Sequence, residues 1–204
     1  MLISFEGIDG CGKSTQIVKL KDYLTQKGYD VHVFREPGGT PLSEQIRDIL
    51  LNSPEEIDPV AELLLFSAAR AQLVAERIRP LLKTGAIVIL DRFFDSTTAY
   101  QGYGREALPI PAIEHLNAIA TSNLKPDLTI YLRISPKEAY QRRKNHREED
   151  RMERAGKSFF RRVSQGFDQV AAREERVVVL DSHVAAEDTF RSILAHLQQK
   201  LPQL

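Results

Sequence analysis

The chain has 204 residues, 28 of them Lys or Arg and 28 Asp or Glu, for a formal net charge of +0, and 42% are hydrophobic. A domain of this size hides roughly 70–75% of the surface its unfolded chain exposes, so one domain over residues 1–204 needs no staple, and the lone Cys11 could form no internal bridge. Balanced charge weighs against sequence-independent nucleic-acid binding, no run nears the roughly 18 apolar residues of a membrane span, and residues 2–5 are too short for a secretory apolar core, so a cytoplasmic protein is expected.

Short β-branched runs alternate with longer amphipathic stretches, which predicts an α/β fold on a mainly parallel sheet. The first strand is Leu2–Glu6. A helix over 14–27 follows, with Ile17, Leu20 and Leu24 on one face and Gly28 as its stop. Residues 31–34 form the second strand, and 59–83 read as one long helix, broken near Pro80 and closed by Gly85. The third strand, 86–90, is apolar from Ile87 to Leu90, as a strand covered on both faces requires. A helix over 112–122, strands over 128–132 and 177–180 and a helix over 185–201 complete the pattern. Residues 140–154 are different: Arg142, Arg143, Lys144, Arg147, Arg151 and Arg154 stand beside Glu148, Glu149, Asp150 and Glu153, a composition common on solvated helix faces.

The chemistry begins at Gly7-Ile8-Asp9-Gly10-Cys11-Gly12-Lys13-Ser14, which fits G-x-x-x-x-G-K-[ST] directly after a strand and directly before a helix. Glycines let the backbone curl so that N–H groups converge on phosphate oxygens, and the helix that starts near Thr15 turns its free donors to the same anion. Lys13 is expected to reach the β and γ phosphates of a nucleotide, and the Ser14 hydroxyl to hold Mg²⁺. Cys11 reads as a small filler, since no His lies beside it to activate a thiol. Asp91 closes an apolar strand at the carboxyl edge of the sheet; after a phosphate loop it suits the acid that orients Mg²⁺ or its waters, where alone it would be a turn residue or a cap. A GTPase would carry N-K-x-D after a strand, but the strand ending at Leu132 runs into Arg133-Ile134-Ser135-Pro136. The length suits a small nucleotide kinase.

Residues 5–15, Arg35-Glu36-Pro37-Gly38-Gly39-Thr40, Phe66-Ser67-Ala68-Ala69-Arg70, and 91–102 from Asp91 to Gly102 resemble the motifs of the thymidylate kinase family, in the family's order and over essentially the whole chain. The resemblance implies a P-loop NTPase fold with five parallel strands and a small helical lid, ATP-dependent conversion of dTMP to dTDP with Mg²⁺, and a homodimer. It implies that Phe66 stacks on thymine while Arg70, four residues on, hydrogen-bonds an exocyclic carbonyl, and that Thr97 reads the N3 edge with Gln101 assisting. Tyr100 would crowd the sugar's 2′ side. Asp9 would accept from the 3′ hydroxyl, Arg92 would clamp the acceptor phosphate or the group in flight, and Arg35, Glu36 and Pro37 would approach that phosphate and the metal waters.

The variable loop positions Ile8, Asp9, Gly10 and Cys11 carry no Arg or Lys, which shifts that cation elsewhere. The sequence resembles the bacterial-like branch, in which a lid supplies it; Arg143, Arg147 and Arg151 within 140–154 are the candidates. Two other readings stay open at this stage. A deoxynucleoside kinase would need a base for a hydroxyl acceptor, and an ATP-sensing module would bind without transfer.

Overall fold

A computed structural model describes residues 1–143 and 156–201. Five strands, β1 (Leu2–Glu6), β2 (Val31–Arg35), β3 (Ile87–Asp91), β4 (Leu128–Arg133) and β5 (Val177–Asp181), form one sheet in the order β2-β3-β1-β4-β5, every pair parallel. Each matches its expected span to within one residue at either end. Period-two alternation divides the core as a doubly covered sheet demands. Ile3, Phe5, Ile87 and Ile89 pack with Leu20, Leu24, Phe167, Ile193 and Leu197, whereas Leu2, Val88 and Leu90 join Leu73, Val74, Ile78 and Phe93.

The helices are α1 (Lys13–Gln26), α2 (Pro41–Asn52), α3 (Pro59–Leu73), α4 (Arg79–Lys83), α5 (Phe94–Thr97), α6 (Ile110–Thr121), α7 (Pro136–Arg143), α8 (Lys157–Arg173) and α9 (Ala186–Lys200). The expected break near Pro80 takes the form of a widened π turn over Val74–Ile78 between α3 and α4. Proline lacks an N–H and its ring presses on the carbonyl four residues back, here Glu76, and the extra residue per turn absorbs the conflict. A second π turn, Thr98–Gly104, continues α5.

Helices α2, α5 and α8 lie where no helix was expected, and α7 begins ahead of the charged run at 140–154. In α2 the Thr40 side chain accepts from the Ser43 N–H at 3.1 Å and Pro41 occupies the first turn, a start signal that the Pro-Gly-Gly turn before it obscured. In α8, Phe159, Phe160, Val163 and Phe167 form a buried stripe.

Topology places the site. From β2 the chain returns to β3, then crosses β1 to reach β4, so the carboxyl end of β1 opens between connections that leave in opposite directions.

Candidate active site

Gly7, Gly10 and Gly12 adopt φ of +133°, +89° and +94° as the chain curls off β1 into α1. A Cβ on Gly7 would stand 2.6 Å from the Leu132 carbonyl oxygen and 2.9 Å from Cys11 Sγ, so the loop seats against β4 only with glycine there. Lys13 is buried; its Nζ donates to the Gly7 carbonyl at 3.1 Å and lies 3.9 Å from Asp9 Oδ1. Ser14 and Thr15 are exposed at the start of α1, and Ile8 is packed in the core. Cys11 is fully buried, and burial pushes its thiol up, as befits packing rather than nucleophilic chemistry.

The sequence reading missed two neighbours of this loop. The Ser182 hydroxyl, just after β5, donates to the Cys11 carbonyl, and Arg142 of α7 donates from Nη2 to the Ser182 carbonyl at 2.7 Å. No local pattern marks a Ser 171 residues from its partner.

Asp91 ends β3 with Oδ1 buried and without a hydrogen-bond partner among the described residues. No cluster of three or more His, Cys, Asp or Glu among them could hold a metal. A carboxylate with an unmatched oxygen, together with an exposed Ser14 hydroxyl, fits a hard cation that keeps waters and takes its other oxygens from phosphates, which is how Mg²⁺ binds nucleotides.

Arg92, next in sequence, is held at φ +72°, a region side chains rarely adopt. Its Nη1 donates to the Gly7 carbonyl at 2.9 Å and to Ser96 Oγ at 3.1 Å, and its Nη2 to Asp9 Oδ1 at 2.7 Å and the Tyr100 hydroxyl at 3.1 Å. Asp9 thus meets a cation, as a carboxylate inside a phosphate loop must. Tyr100 is buried, its ring edge-on to Phe159, Phe160 and Phe167.

The expected base pocket is built on buried pairs. Arg70 is 1% exposed. Its Nε donates to Glu36 Oε2 at 2.7 Å, its Nη1 to Thr97 Oγ1 at 2.9 Å and Asn117 Oδ1 at 3.5 Å, and its Nη2 to the Phe93 carbonyl at 3.2 Å. Burial raises the Glu36 carboxyl to about 7 against the opposing pull of Arg70, and Oε1 has no hydrogen-bond partner among the described residues. Gln101 donates to Glu62 at 2.9 Å, and Arg105 approaches the same carboxylate. Phe66 is half-buried against Ile46, Leu50 and Ala69.

Arg35 stands apart and exposed, bonded to Glu44 at 2.9 Å. Glu44 also accepts the Gly39 N–H at 2.8 Å, which holds its carboxyl below the usual range and braces the turn around Pro37. Glu44, Glu62 and Asn117 are site neighbours that no sequence signal announced. Arg143 ends α7, but its side chain, with all of Arg147 and Arg151, lies outside the described residues.

A family model described as "Thymidylate kinase" matches residues 5–193. The chain belongs to the thymidylate kinase family. It is 46% identical to "Thymidylate kinase" of Chlorobaculum tepidum over 97% of this chain and 96% of that one, and 49% identical to "Thymidylate kinase" of Chlorobium luteolum over 100% and 99%. The crystal structure of thymidylate kinase from Ehrlichia chaffeensis superposes with a TM-score of 0.79 at 34% identity, covering 97% of this chain and 98% of that one.

Thymidylate kinase activity, the phosphorylation of dTMP, is therefore the function, and neither a deoxynucleoside kinase nor a non-catalytic ATP sensor is favoured. Three of the chain's cations belong to two adjoining constellations. Lys13 bonds the Gly7 carbonyl of the 7–14 loop, Arg70 pairs with Glu36 and Thr97, and Arg92 touches both Gly7 and Tyr100. Among the described residues, no helix is long and apolar enough to cross a membrane.

Proposed function

We propose that the reaction is direct in-line transfer, in which a dTMP phosphate oxygen attacks the γ phosphorus of ATP held on residues 7–15 while the bond from that phosphorus to the β,γ-bridging oxygen breaks, giving dTDP and ADP. No general base is required, because a phosphate monoester with a second pKa of about 6 is already largely ionised near neutrality. The barrier is the approach of two anions, lowered by orientation and by cations aimed where charge spreads. Lys13 meets the β and γ phosphates. Ser14 and Asp91 would hold Mg²⁺, which would supply charge neutralisation when bound. Arg92 clamps the acceptor phosphate, and its planar fork suits an oxyanion.

In the acceptor pocket Phe66 stacks on thymine, and Arg70, Thr97 and Gln101 face the base edge. Tyr100 crowds the 2′ side of the sugar, and Asp9 accepts from the 3′ hydroxyl. Arg35, Glu36 and Pro37 border the acceptor phosphate and the metal waters. A lid over 140–154 closes with Arg143, Arg147 or Arg151 and excludes water. The observation that carries this reading is Arg92, whose guanidinium reaches Gly7 and Asp9 of the loop and Tyr100 of the pocket at once.

The chain acts as one domain and as a cytoplasmic homodimer. Support for the dimer comes from exposed apolar side chains, Leu42 and Ile49 on α2 and Leu64 among exposed Ala61, Ala68 and Ala71 on α3, a stripe that asks for cover. A coupled assay with dTMP, dUMP, dCMP and thymidine tests the acceptor. Preference for dTMP is expected; phosphorylation of thymidine without dTMP would overturn the reading.

A further inference from the structure

Glu6 is the last residue of β1, directly before the phosphate loop, and none of the roles above uses it. A carboxyl is an expensive choice there. Its side chain is fully enclosed, and burial, reinforced by nearby Asp95, pushes its pKa up to about 8. An apolar residue would fill the strand without that penalty.

Both oxygens are engaged by one short segment. Oε1 accepts the Phe93 N–H at 2.8 Å, and Oε2 accepts the Ser96 hydroxyl at 2.6 Å. Phe93 follows Arg92 in sequence, and Ser96 Oγ in turn accepts Arg92 Nη1 at 3.1 Å. The N–H of Arg92 itself donates to the Phe5 carbonyl at 3.0 Å. The two peptide N–H groups on either side of the strained Arg92 are thus tied to consecutive residues of β1, and its guanidinium is steadied by a hydroxyl that Glu6 orients. Asp95 is no substitute, since Arg176 holds its two oxygens at 2.7 and 2.8 Å.

We propose that Glu6 is a positioning residue: it holds the 92–96 turn so that Arg92 keeps its left-handed backbone and its guanidinium stays between the phosphate loop and the acceptor. A non-glycine residue in that region persists only where its surroundings over-determine it, and the anchors from β1 do so here. Released from them, the turn relaxes and the guanidinium no longer sits where it clamps the acceptor phosphate, so dTMP is held more weakly while the ATP side is little changed. The inference rests on the role given above to Arg92.

The test is steady-state kinetics with dTMP and ATP on Glu6→Ala, Glu6→Gln, Ser96→Ala, Arg92→Ala and the Glu6→Ala/Arg92→Ala double variant, with circular dichroism as the check on folding. Glu6→Ala is expected to raise KM for dTMP about tenfold while KM for ATP moves less than about twofold. Glu6→Gln keeps an acceptor for Phe93 and can donate to Ser96, so it recovers to within about threefold of the parent, and Ser96→Ala weakens dTMP about threefold. With Arg92 already replaced, loss of Glu6 adds less than about twofold, because the group it positions is gone. A folded Glu6→Ala enzyme with unchanged KM for dTMP, equal loss toward both substrates, or additivity in the double variant overturns the proposal. An Arg92→Ala enzyme with unchanged dTMP kinetics would instead overturn the role of Arg92, and Glu6 would fall with it. Should Glu6→Ala not fold, Ser96→Ala with and without Arg92→Ala decides by the same criterion: non-additive loss supports the proposal, and no loss or additive loss refutes it.

Discussion

The phosphate loop and the acceptor pocket meet at Arg92 yet are built on opposite plans. The loop is eight contiguous residues, 7–14, whose shape resides in the backbone, in φ values reserved for glycine at Gly7, Gly10 and Gly12. The pocket is assembled from side chains of residues far apart in the chain, Glu36, Glu62, Arg70, Thr97, Gln101 and Asn117, most of them charged or amide groups removed from water and matched to one another. A site made of backbone tolerates the loss of one side chain as a fold and fails as a catalyst. A site made of buried ion pairs fails as a fold first.

That contrast can be broken by experiment. The largest effect on chemistry belongs to Lys13→Ala, expected to lower kcat by about 10²–10³-fold with every acceptor while Tm stays close to the parent, since its partners are loop atoms that water can serve. A Tm loss as severe as the rate loss would end the idea of a self-contained loop.

Arg70→Ala comes next, as a stability effect. Removing it strands Glu36 in the interior, which typically costs about 3–5 kcal/mol, measurable by urea denaturation, and use of dTMP should fall far more than ATP binding. Equal loss toward both nucleotides would remove Arg70 from the base pocket. Adding Glu36→Ala should return part of the lost stability, because the stranded carboxyl goes with it.

The smallest effect is on pH dependence. Glu36 has its carboxyl raised from 4.5 to about 7, so between those values the unfolded chain releases a proton that the folded chain keeps. Stability from this group is therefore fully present below pH 4.5 and declines as pH rises toward 7, with a limiting slope of about 1.4 kcal/mol per pH unit. Denaturation of the parent and of Glu36→Gln across that window should show the difference shifting in favour of the variant as pH rises, then levelling off. A constant difference would mean that Arg70 keeps Glu36 ionised throughout.

Legibility followed the same divide. The five strands and the phosphate loop could be read because their signals are local: apolar runs a sheet must cover, and glycines a phosphate must have. Helices α2 and α8 were local too, but the first hid behind a Pro-Gly-Gly turn and the second behind the charged run before it. Phe66, Arg70, Thr97 and Tyr100 were reached through motif order. Their partners were beyond reach, since Glu36 and Arg70 pair across 34 residues, Glu62 and Gln101 across 39, and Glu6 and Ser96 across 90. A buried Glu in a strand gives no hint in sequence of the donor that will meet it.

Taken alone, then, the sequence determined the layer architecture, the anion cradle and the family, because each is written in short windows where backbone geometry and hydrophobic period leave one solution. Only tertiary structure decided which charges answer each other: that buried Arg70 locks onto Glu36, that exposed Glu44 braces the Arg35 turn, and that β1 pins a strained Arg92. The reason is electrostatic. An ion taken out of water must find its complement in space, and the chain reaches that complement only once the sheet has closed.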